Sequence, residues 1–66
     1  MTEPLYIRIQ RLMARNDITQ SELARRMGVT RTCVNAWYWG VNQPNAEKLC
    51  KLRRIFGCDW KELMGE

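Results

Sequence analysis

The chain has 66 residues, 45% of them hydrophobic, with 11 Lys and Arg against 7 Asp and Glu for a formal net charge of +4. That length supports one small core and a single domain over residues 1–66, with little stability to spare. No apolar run reaches the roughly 20 residues that span a bilayer, and no charged-then-apolar leader opens the chain, so a cytoplasmic protein without a membrane partner is expected. Cys33, Cys50 and Cys58 form no C-x-x-C pair, and there is no histidine. Neither a metal site nor a catalytic thiol is expected, no cofactor is implied, and the thiols read as small apolar side chains.

Pro4 opens a first helix, whose Leu5, Ile9, Leu12 and Met13 share one face while Arg8, Arg11 and Arg15 project elsewhere. Asn16-Asp17 breaks it. Thr19 then caps a second helix, with Glu22 three residues on to complete a capping box, and Leu23, Ala24 and Met27 form the inner face. Thr30 caps a third helix that runs to about Tyr38 or Trp39, where Gly40 stops it. Val41-Asn42-Gln43-Pro44 reads as a loop. Asn45 caps a fourth helix carrying Leu49, Leu52 and either Ile55 or Phe56, with Glu47 in its first turn and Gly57 at its end. Asp59 and Glu62 repeat the capping-box pattern for a short fifth helix with Trp60, Leu63 and Met64. No stretch alternates at period two, so the fold class is all-α.

Residues 20–37 are the most informative part. Gln20, Ala24 and Gly28 fall one turn apart, and Val34 and Trp37 repeat at helical spacing after a turn at Met27-Gly28-Val29. A helix-turn-helix needs this arrangement. Ala24 is small where two helices cross, Gly28 can take the left-handed conformation, and Val34 and Trp37 bury the back of the second helix. The front of that helix is then free to enter a DNA groove.

Together with the W-x-x-G of Trp37 and Gly40, the P-N-x-E of Pro44 to Glu47, and Leu49, Leu52, Phe56 and Leu63, the segment ITQSELARRMGVT resembles one family. It is that of the lambda-repressor/Cro-type helix-turn-helix domains of phage repressors, Cro proteins and related bacterial regulators. The resemblance implies a five-helix lambda-repressor-like domain with the helix-turn-helix at helices 2 and 3. It further implies a regulator, and not an enzyme, that occupies a double-stranded DNA operator through the major groove and blocks transcription. The expected setting is the nucleoid of a bacterial or phage-infected cell. Such domains often carry a Glu after the Trp, paired with an Arg on the first helix; here those positions are Tyr38 and Met13, an apolar-aromatic replacement of a polar pair.

The outward face implied by the resemblance assigns base contacts to Arg31, Thr32 and Asn35, with Gln20 and Ala36 at the margin. Arg31 suits guanine N7 and O6, Asn35 or Gln20 suits adenine, and the methyls of Thr32 or Ala36 suit thymine. Thr19, at the positive end of helix 2, and Asn42 and Gln43 in the loop are candidate phosphate contacts. Cys33 reads as packing. Trp60, Leu63 and Met64 are candidates for the surface of a homodimer that is weak alone and strengthened on DNA, although for Leu63 a place in the monomer core is the stronger reading. A protein-interaction module, such as an antitoxin or adaptor using the same fold, is the competing reading, and exposure of Trp39 and Trp60 would favour it.

Overall fold

The computed structural model describes residues 3–65. Five α-helices account for the secondary structure among them: α1 (Leu5–Arg15), α2 (Gln20–Met27), α3 (Arg31–Trp39), α4 (Ala46–Phe56) and α5 (Trp60–Met64). Four of the starts are capped by the residues expected from sequence. Thr19 Oγ1 accepts from the Glu22 amide at 3.1 Å, Thr30 Oγ1 from Cys33 at 3.2 Å, Asn45 Oδ1 from Lys48 at 2.9 Å and Asp59 Oδ1 from Glu62 at 2.8 Å. Each bond satisfies an amide that the helix itself leaves without a partner. Pro4 stands just before α1 and supplies no side-chain cap.

Both expected capping boxes form only half of their bonds. The Glu22 carboxylate turns along α2 to Arg25 at 2.6 Å and Arg26 at 2.9 Å, and the Glu62 carboxylate reaches across to Arg15 at 2.6 Å. A charged guanidinium is a stronger partner for a carboxylate than a neutral amide, so the return bond to the cap is forgone.

The core is built from the apolar stripes of all five helices: Ile9, Leu12 and Met13 from α1, Leu23, Ala24 and Met27 from α2, and Val34 and Trp37 from α3. Leu52 and Phe56 of α4, Leu63 of α5, and Ile18 and Cys58 from the connections complete it. Phe56, and not Ile55, continues the α4 stripe inward. Burying each such large side chain contributes about 1.5–3 kcal/mol, and no polar or charged residue is buried among the described residues. Leu63 is 0% exposed, which removes it from the candidate dimer surface. Its spacing three residues from the exposed Trp60 placed it near that surface, but α5 rolls it beneath the chain. Trp60 and Met64 remain outside, at 46% and 42% exposure.

Two left-handed glycines position α3. Gly28 (φ 73) ends α2, and the amide of Val29 bonds back to the Ala24 carbonyl at 3.0 Å, which turns the chain sharply into Thr30. A Cβ at Gly28 would meet nothing within 4 Å, so backbone conformation alone demands glycine there. At the other end, Gly40 (φ 77) stops α3, and a Cβ would sit 2.7 Å from the Tyr6 ring of α1. Close approach and conformation both require glycine at this second site. A polar tie joins the same two helices, Gln10 Nε2 donating to the Tyr38 carbonyl at 2.7 Å. Tyr38 itself packs half-buried against the core that contains Met13.

Candidate nucleic-acid interface

The start of α2 and the outer face of α3 enclose a cleft of about 440 Å³ lined by Thr19, Gln20, Ser21, Arg31, Thr32 and Asn35. Five of these six residues are the sequence candidates. They meet because the Gly28 turn sets the two helices across each other with Ala24 buried between them and the core, while Val34 and Trp37 turn the opposite side of α3 inward. Arg31, Thr32 and Asn35 are exposed. Ser21 is the residue that sequence reasoning missed. It lies beside Gln20 in the first turn of α2, and the signal that could have found it is its distance from the buried positions Leu23 and Ala24.

Ala36 does not line the cleft. It is half-buried, and its carbonyl accepts the amides of Val41 at 2.9 Å and Asn42 at 3.3 Å as the chain leaves α3. Asn42 and Gln43 are exposed and stand apart from the cleft, in two smaller depressions. One, of about 210 Å³, places them beside Tyr6, Trp37, Gly40 and Pro44; the other, of about 310 Å³, places them beside Cys33, Asn45 and Lys48. Lys48 is thereby a further candidate phosphate contact. In the sequence it looks like any surface cation of α4, and only the fold brings it beside the loop.

Hydrogen bonds leave usable valence in the cleft. The Thr19 hydroxyl accepts the Glu22 amide, so its own O–H remains available to donate to a phosphate. Asn35 Oδ1 accepts from the Trp39 indole Nε1 at 3.1 Å, leaving both Nδ2 protons free. Arg31 makes no ion pair among the described residues. Five other arginines are engaged: Arg11 by Glu3, Arg15 by Glu62, Arg25 and Arg26 by Glu22, while Arg53 stacks over Trp60 at 5.3 Å from the ring centroid; Arg8 and Arg54, which also make no ion pair among the described residues, do not line the cleft. The Arg25 and Arg26 hydrogen bonds hold the Glu22 carboxyl below the ordinary 4.5, and Arg11 does the same for Glu3. The Cys58 thiol is pushed above its ordinary value, first by burial and then by the Glu62 charge, which keeps it protonated and inert.

A crossing helix pair with a solvent-facing second helix and polar groups converging on a cleft that includes the unpaired Arg31 guanidinium define a helix-turn-helix domain of the DNA-binding kind. The chain belongs to the Cro/C1-type HTH DNA-binding domain family, whose model matches residues 8–65. It is 32% identical over 57 residues to the HTH-type transcriptional activator BcrR of Enterococcus faecalis, a match that covers 86% of this chain and 28% of that protein.

Among solved structures, the DNA-binding domain of the P22 c2 repressor superposes with a TM-score of 0.88 at 26% identity, over 98% of this chain and 87% of that one. The P22 c2 repressor in complex with a synthetic operator gives 0.86 at 26% identity, over 98% of this chain and all of that one. A transcriptional regulator from Listeria innocua shares the fold with a TM-score of 0.87 at 23% identity; it covers this whole chain, which spans 62% of that protein. No helix among the described residues is long and apolar enough to cross a membrane.

Proposed function

We propose that this chain is a single helix-turn-helix domain of a transcriptional regulator that binds a specific double-stranded operator. In this reading α3 enters the major groove, and Arg31, Thr32 and Asn35 read base edges with Gln20 beside them. Arg31 pairs with guanine N7 and O6, and the Thr32 methyl meets thymine. Thr19, Ser21, Asn42, Gln43 and Lys48 hold phosphates on either side and set the register. The observation that carries the reading is the cleft that gathers Thr19, Gln20, Ser21, Arg31, Thr32 and Asn35 on one face. The P22 c2 repressor–operator complex supports it, because a chain of the same fold is bound there to operator DNA.

One such domain covers only a few base pairs, so a homodimer on two half-sites about 34 Å apart is proposed. Trp39 and Trp60 are both exposed, the feature that also suits the competing protein-interaction module; in the present reading Trp60 and Met64, at the C-terminal end of the fold, are the contact residues of the homodimer. The dimer is weak in solution and strengthened on DNA. Operator occupancy blocks transcription where the operator overlaps a promoter; the likeness to BcrR, an activator, supports the opposite outcome where it lies upstream. No nucleophile–base pair lies in the cleft, and enzymatic chemistry is no part of the proposal.

Selection of bound sites from a randomised duplex pool tests this reading. Wild type should enrich one two-fold-related sequence, and Arg31→Ala and Thr32→Ala should each relax preference at separate positions by about 1–3 kcal/mol, roughly 5- to 150-fold. Equal loss of affinity for every sequence would assign both residues to the backbone and sink the base-reading roles.

A further inference from the structure

The outer face of α3 continues beyond Asn35. Steps of four carry it from Arg31 through Asn35 to Trp39, which is 60% exposed. So large an exposed aromatic adds little to the core, yet it is held on two sides. Its indole Nε1 donates to Asn35 Oδ1 at 3.1 Å. Its ring meets Tyr38 edge-on, with centroids 5.1 Å apart and planes at 76°. Tyr38 is in turn fixed by packing against the core and by the Gln10 bond to its carbonyl at 2.7 Å. A continuous set of contacts therefore runs from α1 through Tyr38 and Trp39 to the amide of Asn35.

The chemistry of that last bond has a direction. An indole N–H only donates, so it engages the oxygen of the Asn35 amide and never its nitrogen. A freely rotating asparagine offers a base either its oxygen or its nitrogen. With Oδ1 held toward Trp39, the free Nδ2 donors are what Asn35 turns to the cleft that it lines.

We propose that Trp39 is a positioning residue for base recognition: it orients the Asn35 amide to donate, so that Asn35 selects a base edge that accepts. Guanine, with N7 and O6, thymine, with O4, and adenine, through N7 alone, fit this orientation, whereas the amino group of cytosine is disfavoured. The bidentate adenine pairing expected of Asn35 from sequence needs this oxygen to accept a second hydrogen bond beside that of Trp39, so it loses its advantage over edges that only accept. The proposal rests on the DNA-reading role given to Asn35 above.

The test compares wild type, Trp39→Phe, Asn35→Ala and the double variant by site selection and thermal melting. Phenylalanine keeps a ring against Tyr38 and removes only the N–H. Trp39→Phe should melt with wild type and keep the Arg31-dependent preferences. At the base position relaxed by Asn35→Ala, its discrimination should fall about two- to tenfold, the worth of one hydrogen bond. The double variant should be no less selective than Asn35→Ala alone. In the free protein, Asn35→Ala should also move the indole N–H resonance of Trp39 and leave that of Trp37 in place.

A uniform loss of affinity in Trp39→Phe, unchanged selectivity, additive losses in the double variant or a static indole resonance would each overturn the proposal. Failure of the underlying reading looks different. Wild type would then enrich no sequence, or Asn35→Ala would relax no position.

Discussion

The inner and outer faces of α3 carry opposite demands within nine residues. Inside, Val34 and Trp37 are buried at 0% and 3% exposure, surrounded by apolar side chains from other helices. Outside, Arg31, Thr32 and Asn35 are exposed, and the only bond that these side chains make among the described residues is the one from Trp39 to Asn35. The inner face spends its side chains on holding α3 in place, so the outer face needs none of its own for stability. Binding groups can remain uncommitted because the scaffold beneath them is complete.

Trp37→Ala should break this division most severely. Truncating a buried Trp costs about 3–5 kcal/mol, against a total of roughly 3–10 kcal/mol for a domain of this size. A large drop in the urea midpoint, or loss of folding at 37 °C by circular dichroism, is expected. A shift as small as that of Arg31→Ala, which should leave the midpoint unchanged, would mean that α3 does not depend on its inner face.

The glycines at the two ends of the motif grade the next effect. Gly28→Ala meets open space and should cost about 1 kcal/mol for its left-handed backbone alone. Gly40→Ala adds an approach of 2.7 Å to the Tyr6 ring and should melt distinctly lower. Equal melting temperatures would show that Tyr6 yields freely and that α1 does not brace the end of α3.

Glu22→Gln should have the smallest effect on stability. The folded pKa of Glu22 lies below 4.5, so its contribution is fully present above that value and is lost as pH falls through the lower, folded one. Wild type should lose a small increment of melting temperature over that acid range that Glu22→Gln lacks. The variant also removes one negative charge and releases Arg25 and Arg26, so its affinity for all duplexes should rise while its base preference stays fixed. A changed base preference would place α2 cations among the reading groups.

Most of the scaffold was legible because it depends on local rules. Thr19, Thr30, Asn45 and Asp59 announce helix starts through short-range chemistry, Gly28, Gly40 and Gly57 announce ends, and helical spacing marks Leu23, Val34, Trp37 and Leu52 as core while leaving Ile55 and Phe56 as alternatives. The candidate cleft was legible through the family resemblance, which implies the face of α3 that points outward. Partner choice was not. Glu22 and Glu62 abandon their caps for arginines, and Gln10 finds a carbonyl 28 residues away. Trp39 finds Asn35, a pair within reach of any helix but formed only when the side chains rotate together. Leu63 takes the core place that was already its stronger reading, and the half-buried Ala36 lies outside the cleft, because burial at the edge of a small core turns on a fraction of a helical turn.

Mapping amide and side-chain resonances while the protein is titrated with its selected duplex tests the division of the molecule most directly. The largest changes are expected at Thr19, Gln20, Ser21, Arg31, Thr32 and Asn35, with smaller ones at Asn42, Gln43 and Lys48 and none at Arg8, Arg11 and Arg15 of α1. Changes centred on the α1 arginines, with the α2–α3 cleft unmoved, would contradict the assignment of α3 as the helix that meets DNA.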